Sequence, residues 1–430
     1  MEKESKKPVT AIIVGAGHRS MIYGGYSLKH PDELKIVGVA EPDEIARNIC
    51  KEKFNIPDNM CFGSAEELAE HDRLADAVIN GTMDKYHVPT SVPLLKKGYD
   101  MLLEKPFACS ETELELLENT VKKYRNKVMI CHVLRYSVFY KKIHDIISSG
   151  KIGSIISINT IEDVSYHHYV TSYVRGKWRN SDECGTSMLL AKCCHDIDLM
   201  TWMTGVDVKP LSVSSYGSNI YYNRNNAPKN SGERCMVDCP LNKTCPLSCE
   251  IIYLEIPFKW DWYVWQDMMD APQEEKLNYL KYKSPYGRCA FKCDNNVVDH
   301  QSLIVNFSTG ALGIHTLNTN TAYSKRIIRI IGTKGQIEGE FENQRIKLSV
   351  IDPTKESDHL EENFDLSDVA SAFKNHGGGD VLLVSDFVKY IRGEEVSSSC
   401  TSLEDSLSGH RVIFAADKSM KLGGAAVNII

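Results

Sequence analysis

In the first third of the chain the apolar positions fall in short blocks separated by amphipathic stretches of helical period. TAIIV at 10–14 is one compact apolar run and LKIVGVA at 34–40 a second. ADAVIN at 75–80, MLLE at 101–104 and KVMIC at 127–131 continue the series. Runs of this length read as strands, and the stretches near 87–97 and 111–124 read as helices between them. Such alternation predicts a doubly wound parallel sheet with helices on both faces. Further on the pattern changes. Residues 188–199, MLLAKCCHDIDL, form a strongly apolar helical stretch that nevertheless carries Lys192, His195, Asp196 and Asp198. Three residues apart on a helix, Lys192 and His195 leave from the same side and can touch one common object. Residues 403–421 read as a final amphipathic helix packing back on a sheet, and HGGGD at 376–380 opens another, DVLLVSDFVKYI.

A chain of 430 residues is too long for one typical core and predicts two domains. Its formal net charge of -7, with no run of lysines or arginines, argues against nucleic acid or a membrane surface as partner. No window is apolar for long enough to cross a bilayer, and the charged start MEKESKKPVT leads directly into a strand, so a cytoplasmic protein is expected. Fourteen cysteines in such a chain read as reduced thiols, and their clustering suggests a metal.

Gly15-Ala16-Gly17-His18-Arg19-Ser20 follows the first strand at once. Gly15 permits a tight turn and Gly17 lets backbone amides approach a pyrophosphate, which would lie at the positive end of the helix dipole. Ser20 replaces the usual third glycine. The second strand ends in Glu41, placed to hold the adenosine ribose hydroxyls and to repel a 2′-phosphate, which favours NAD over NADP. Ligands of such sheets lie at the carboxyl ends of the strands, here Asn80-Gly81-Thr82, Glu104-Lys105-Pro106, and His132 with Arg135. The expected cofactor set is therefore Gly15, Gly17, His18, Arg19, Ser20, Glu41, Arg47, Asn80, Thr82, His87, Glu104 and Lys105. A cis bond before Pro106 would hold Lys105 in one pose, whereas an ordinary solvated loop lysine is the competing reading.

These residues carry a resemblance over nearly the whole chain. The VGAGHRS turn, Glu41-Pro42, the Glu104-Lys105-Pro106 loop, GKIGSIISI at 150–158 and the His195-x-x-Asp198 helix together resemble the Gfo/Idh/MocA family, the glucose-fructose oxidoreductase and inositol dehydrogenase group. The resemblance implies an N-terminal Rossmann domain, residues 1–132, and a C-terminal α/β domain, residues 133–430, for substrate binding and oligomerisation. The second domain would have a large open, mostly antiparallel sheet that covers the nicotinamide, a cysteine-rich insertion at about 220–295 and terminal helices at about 380–422. A homodimer or homotetramer is expected. By the same resemblance Lys105 takes the catalytic-loop lysine role and His195 contacts the sugar and shares the proton relay. Many relatives carry an aspartate four residues before this histidine; here the position is Ala191, followed by Lys192.

Oxidising a secondary alcohol needs a base at the hydroxyl while hydride leaves carbon. Lys105 is the expected acid or base, its amine made neutral by burial and by the nearby Lys192, with His195 as partner and Lys192 as a substrate-hydroxyl contact able to substitute in either role. A structural histidine bonded to Asp198 is the plainer reading of His195. The substrate set is Arg135, Tyr136, His168, Arg175, Trp178, Arg179, Asp299, His300 and His376, with salt bridges for the arginines and core packing for Trp178 as plainer readings.

In CMVDCPLNKTCPLSC at 235–249, with Cys289 and Cys293 further on, six thiols cluster. A structural zinc on Cys235, Cys239, Cys245 and Cys289 is favoured, with Cys249 or Cys293 as substitutes; an iron-sulfur cluster and free thiols stay open. The expected activity is reversible oxidation of a ring hydroxyl of a sugar, glycoside or cyclitol. One rival is glycoside cleavage through transient oxidation at C3 by a retained NAD; the other is a catalytically inert nucleotide sensor or scaffold.

Overall fold

The protein is seen as a computed structural model that describes residues 7–205, 207–255, 260–265, 268–269, 271–371 and 378–429. Its first sheet comprises β1 (Val9–Val14), β2 (Leu34–Ala40), β3 (Cys61–Phe62), β4 (Ala77–Asn80), β5 (Asp100–Leu103) and β6 (Val128–Ile130). The six strands are all parallel, in the order β3-β2-β1-β4-β5-β6. Strand order reverses between β1 and β4, so the crevice for a ligand opens where Gly15 and Gly81 follow those strands. The predicted helices of this half are present as His87–Lys96 and Glu111–Tyr124, the second capped by the Ser110 side chain.

Nine strands form the second sheet: β7 (Ile155–Ser165), β8 (Pro210–Ser218), β9 (His300–Phe307), β10 (Leu312–Thr321), β11 (Lys325–Gly332), β12 (Gly335–Glu340), β13 (Arg345–Ile351), β14 (His359–Asp365) and β15 (Val427–Asn428). Only β7 and β10 pair in parallel; every other neighbour is antiparallel. One face is covered and the other open, as the strict alternation of β9 records: Gln301, Leu303, Val305 and Phe307 are buried and the residues between them exposed.

The Met188–Thr204 helix lies on the covered face, with Ile197 and Met200 in the same core as Ile158, Leu303 and Val305. It is apolar on all sides because it is enclosed by both domains. The Leu403–Lys421 helix joins the two cores: Leu403 and Leu407 pack in the first, Val412, Ile413, Ala415 and Ala416 in the second. The Gly379–Arg392 helix, assigned to the second domain by its place in the sequence, packs Leu383, Val384, Phe387 and Val388 against Val9 and Ala11 of the first. Helical period marks an apolar face but not which of two sheets will cover it. None of the described helices is long and apolar enough to cross a membrane.

Ser20 explains the missing third glycine. It is fully buried, and a Cβ on Gly81 would stand 2.2 Å from its hydroxyl oxygen, so the close approach of helix and sheet is secured by a glycine on the strand side instead. Gly81→Ala is therefore expected to overpack this contact and lower stability by about 1–3 kcal/mol. Adding Ser20→Gly should recover most of the loss, as read from urea-unfolding midpoints; no recovery in the double variant would place the strain elsewhere.

Candidate active site

The glycine turn is built as expected. Gly15 has a φ of 79°, and a side chain there would collide with the backbone of Thr82 at 2.8 Å. At the end of β2 the Glu41 carboxylate accepts from the Ala16 amide at 2.7 Å and from the Asp43 amide at 2.9 Å, so it already stands against the turn. Arg47 folds back on the carbonyl oxygen of Glu41. Arg19 leaves the turn to bond Glu104 Oε1 at 3.0 Å and Asp380 Oδ1 at 2.6 Å, with the Tyr23 hydroxyl on Glu104 at 2.7 Å. Burial works against the Glu104 charge, but Arg19, Lys105 and the Tyr23 hydroxyl outweigh it and hold the carboxyl below its usual pKa.

Several expected cofactor contacts are also engaged within the scaffold. Asn80 is buried, its amide donating to Thr90 and Ser91 and its oxygen accepting from Thr82. His87 is also buried, with Nδ1 2.6 Å from the Pro106 oxygen and Nε2 2.9 Å from the Thr82 oxygen. It pins the loop after β5 to the end of β4. Ser20 packs against Gly81.

That loop carries Lys105 through a cis peptide to Pro106. The Lys105 amide donates to Glu104 Oε2 at 2.7 Å, and its Nζ crosses to the second domain to donate to the Ala191 oxygen at 3.2 Å. Ala191 lies one turn before His195 on the Met188–Thr204 helix, and His195 meets the buried His132 edge-on, ring centroids 5.6 Å apart. The two elements that carry Lys105 and His195 therefore converge at the carboxyl edge of the first sheet.

Lys105 departs from expectation in charge. Burial alone would lower it, but Cys194 and the carboxylates of Glu104 and Asp84 outweigh burial and raise its pKa above the ordinary lysine value. Lys192 does not supply the opposing positive charge, because its Nζ is bound to Glu162 at 2.9 Å. Glu162 also takes Arg326 at 2.6 Å, and Arg326 reaches Asp196 at 3.2 Å. His132 behaves the other way: burial, then Arg135 and Lys105, push it well below the usual histidine value.

Among the expected substrate residues, Trp178 donates through Nε1 to Asp84 Oδ2 at 2.8 Å, and His168 lies tilted against Trp260 with ring centroids 5.2 Å apart. Others are engaged elsewhere. Arg135 is buried in a two-point pair with Asp198, at 2.8 and 2.5 Å, and Tyr136 is buried in the core of the first domain. Arg175 is fully buried inside the insertion, where it donates to carbonyl oxygens of Arg288 and Leu247. Arg179 forms a surface pair with Asp294 at 3.0 Å. Asp299 accepts from the Tyr221 amide and from His300, tying a loop to β9. His376 lies outside the described residues. Cys193 and Cys194 are buried in the helix.

Asp84, Glu162, Arg326, Asp380 and the insertion's Trp262 were not foreseen. Trp262 packs on His18 of the glycine turn, ring centroids 5.2 Å apart. Glu162 had a readable signal: it shares the inward parity of β7 with Ile158, Thr160 and Val164, so a charge there needed a buried partner. Asp84 follows the end of β4, where a strand-end rule extended by a few residues reaches it.

A parallel sheet with a glycine turn at its switch point, under a second sheet bearing a lysine-histidine helix, defines a two-domain dinucleotide-dependent oxidoreductase. The chain belongs to the Gfo/Idh/MocA oxidoreductase family: the family's NAD-binding Rossmann fold matches residues 9–132 and its C-terminal alpha/beta domain residues 144–429. The putative oxidoreductase YteT of Bacillus subtilis (strain 168) is 27% identical over 362 residues, 82% of this chain and 81% of that protein. Inositol 2-dehydrogenase of Corynebacterium glutamicum (strain R) is 26% identical over 210 residues, 48% of this chain and 55% of its own length. Among solved structures, levoglucosan dehydrogenase in complex with NADH and L-sorbose superposes with a TM-score of 0.70 at 15% identity, covering 99% of this chain and 100% of that one.

Because carboxylates hold Lys105 in its charged form, its amine should resist acylation to a higher pH than a surface lysine. Asp84→Asn keeps the acceptor for Trp178 but removes a negative charge, so the onset of Lys105 labelling by acetic anhydride should move to lower pH. Mass spectrometry of the Lys105 peptide reads it, and an unmoved onset would exclude Asp84 as a cause.

Proposed function

We propose that the protein is an NAD-dependent dehydrogenase that reversibly oxidises a secondary ring hydroxyl of a sugar, glycoside or cyclitol. The observation that carries this reading is the reach of Lys105 across the domain seam to Ala191, one turn from His195. An amine and an imidazole on facing elements at the carboxyl edge of a Rossmann sheet suit a carbinol laid between them. The named activities of inositol 2-dehydrogenase and levoglucosan dehydrogenase support the same substrate class.

Gly15 and Gly17 would take the pyrophosphate and Glu41 the adenosine ribose, which is the basis for preferring NAD to NADP. NAD supplies the hydride acceptor when bound. The chain's residues do the rest. Lys105 donates a hydrogen bond to the reacting oxygen and returns its proton in the direction of ketone reduction. His195 exchanges that proton, and Lys192, fixed by Glu162, donates to a neighbouring hydroxyl. On this reading residues 1–132 hold the dinucleotide and 133–430 the substrate, and the open face of the second sheet, with Ile156, Tyr216, Ile304 and Leu312 exposed, is where a homodimer or homotetramer assembles.

The contact of Trp262 with His18 favours a second reading, redox-neutral glycoside cleavage, because an arm over the glycine turn suits a dinucleotide that stays bound through the cycle. Purified protein incubated with NAD and a panel of free sugars, cyclitols and aryl glycosides separates the outcomes. NADH accumulation supports the dehydrogenase, aglycone release without NADH supports cleavage, and neither supports an inert sensor. Lys105→Met should lower kcat by about 10²–10⁴-fold with NAD affinity little changed, and undiminished turnover would remove Lys105 from the chemistry.

A further inference from the structure

The insertion between β8 and β9 has little regular structure, its longest helix being Gln273–Tyr282. Among its described residues it has a small core of its own, in which Ile252, Tyr253, Trp260, Val264, Trp265, Leu280 and Tyr286 pack together beside the cysteine cluster. Two stretches meet within it. Arg234 and Arg288 form an antiparallel bridge, the Cys235 amide donates to the Gly287 oxygen at 3.0 Å, and the Cys289 amide to the Glu233 oxygen at 2.9 Å. Cys235 and Cys289 are thereby brought side by side.

The turns at 239–248 fold over this bridge and enclose a cavity of about 20 Å³. Four of the six clustered cysteines line it: Cys235, Cys239, Cys245 and Cys289. Cys249 and Cys293 do not, and the Cys293 thiol points to the Cys289 oxygen at 3.3 Å. All of these thiols are free. A cavity of this size admits about one atom-sized sphere. That is the scale of a single ion.

Beside the thiols lies the Arg175 guanidinium, wholly removed from solvent. Its partners are the Arg288 oxygen at 2.8 Å, the Leu247 oxygen at 2.7 Å, the Tyr253 hydroxyl at 3.4 Å and Cys235 Sγ at 3.5 Å. No carboxylate pairs with it among the described residues. A buried cation answered only by neutral dipoles is costly, and a nearby net negative charge removes that cost. Four thiolates around a divalent ion carry two net negative charges, so the guanidinium and the filled site would partly neutralise each other.

We propose that Cys235, Cys239, Cys245 and Cys289 bind one zinc ion in the cavity they line, with Arg175 as the buried countercharge. Each thiol loses its proton to solvent on binding, and no oxidation is involved. Among the described residues no three His, Cys, Asp or Glu side chains already stand in an arrangement that could hold a metal. Binding would thus require the four thiols to turn inward, each to about 2.3 Å from the ion.

Elemental analysis of the full-length protein, purified without chelator, is expected to give about one zinc per chain and no iron. Replacing zinc by cobalt(II) should give intense thiolate-to-cobalt absorption with tetrahedral visible bands. Cys239→Ser and Cys245→Ser should lose most of the metal, while Cys61→Ser, in the first domain, keeps it. Folded wild-type protein without zinc, several irons per chain, or cobalt spectra without thiolate bands would each overturn the proposal. So would full zinc retention in both serine variants. If those variants do not fold, the wild-type metal content and the cobalt spectrum still decide.

Discussion

One hydrogen bond across the seam between two sheets sets the geometry on which the rest of the site depends. Lys105 leaves the carboxyl edge of the first sheet and binds the Ala191 oxygen on a helix that belongs to the second. In an α-helix that carbonyl also faces the backbone N–H four residues on, which here is His195. The amine and the imidazole are therefore both referenced to one peptide group. Small rotations of either domain would separate them, so the seam must be stiff. The Leu403–Lys421 helix supplies stiffness by burying one end in each core, and His87 fixes the loop that launches Lys105.

The fold was largely legible because its signals are local. Strands at 34–40 and helices at 111–124 and 403–421 are written in short-range periodicity, and the glycine turn in Gly15, whose positive φ allows little else. The residues of the site were legible only where the backbone itself carries them. Lys105 and His195 sit on a strand end and a helix face, and their placement follows from the element. Arg135, Arg175 and Arg179 were assigned to substrate by residue type, and each found a partner distant in sequence: Asp198, the insertion's carbonyls and Asp294. Long flexible cations choose partners by tertiary proximity, and nothing in their neighbourhood records that choice. The insertion was visible as a cysteine cluster, but its reach to the glycine turn through Trp262 was not, since that contact joins residues far apart in the chain.

The insertion touches two parts of the proposed site. Trp260 lies against His167 and His168, and Trp262 against His18, so one short arm touches both the second domain's helical segment and the dinucleotide turn. The arm carries a small core, in which Trp260, Val264 and Trp265 pack with Ile252, Tyr253, Leu280 and Tyr286, and that core stands on a base. The base is the Arg234–Arg288 bridge with the thiol-lined cavity and the enclosed Arg175. Order at the cysteines and position at the aromatic tip are thus one mechanical problem.

The exchange of an acid for an amine on the Met188–Thr204 helix is less drastic than the sequence suggests. Ala191 and Lys192 remove a carboxylate from the helix, but Glu162 on β7 returns one at 2.9 Å from the Lys192 amine. With Arg326 and Asp196 the group holds two cations and two carboxylates, which balances the charge of a buried cluster. The balance decides what Lys192 can offer. One of its three N–H bonds is committed to Glu162, and on the proposed reading the others would donate to hydroxyl oxygens. Lys105, held charged by Glu104, Asp84 and Cys194, is likewise a donor. On that reading, two ammonium groups would donate to the oxygens of a polyol, and in alcohol oxidation Lys105 must first pass a proton to His195 before it can take one from the hydroxyl. The same arrangement run in reverse needs no change of protonation at Lys105 before reaction, so reduction of a ketone is the direction for which the resting charges are already set.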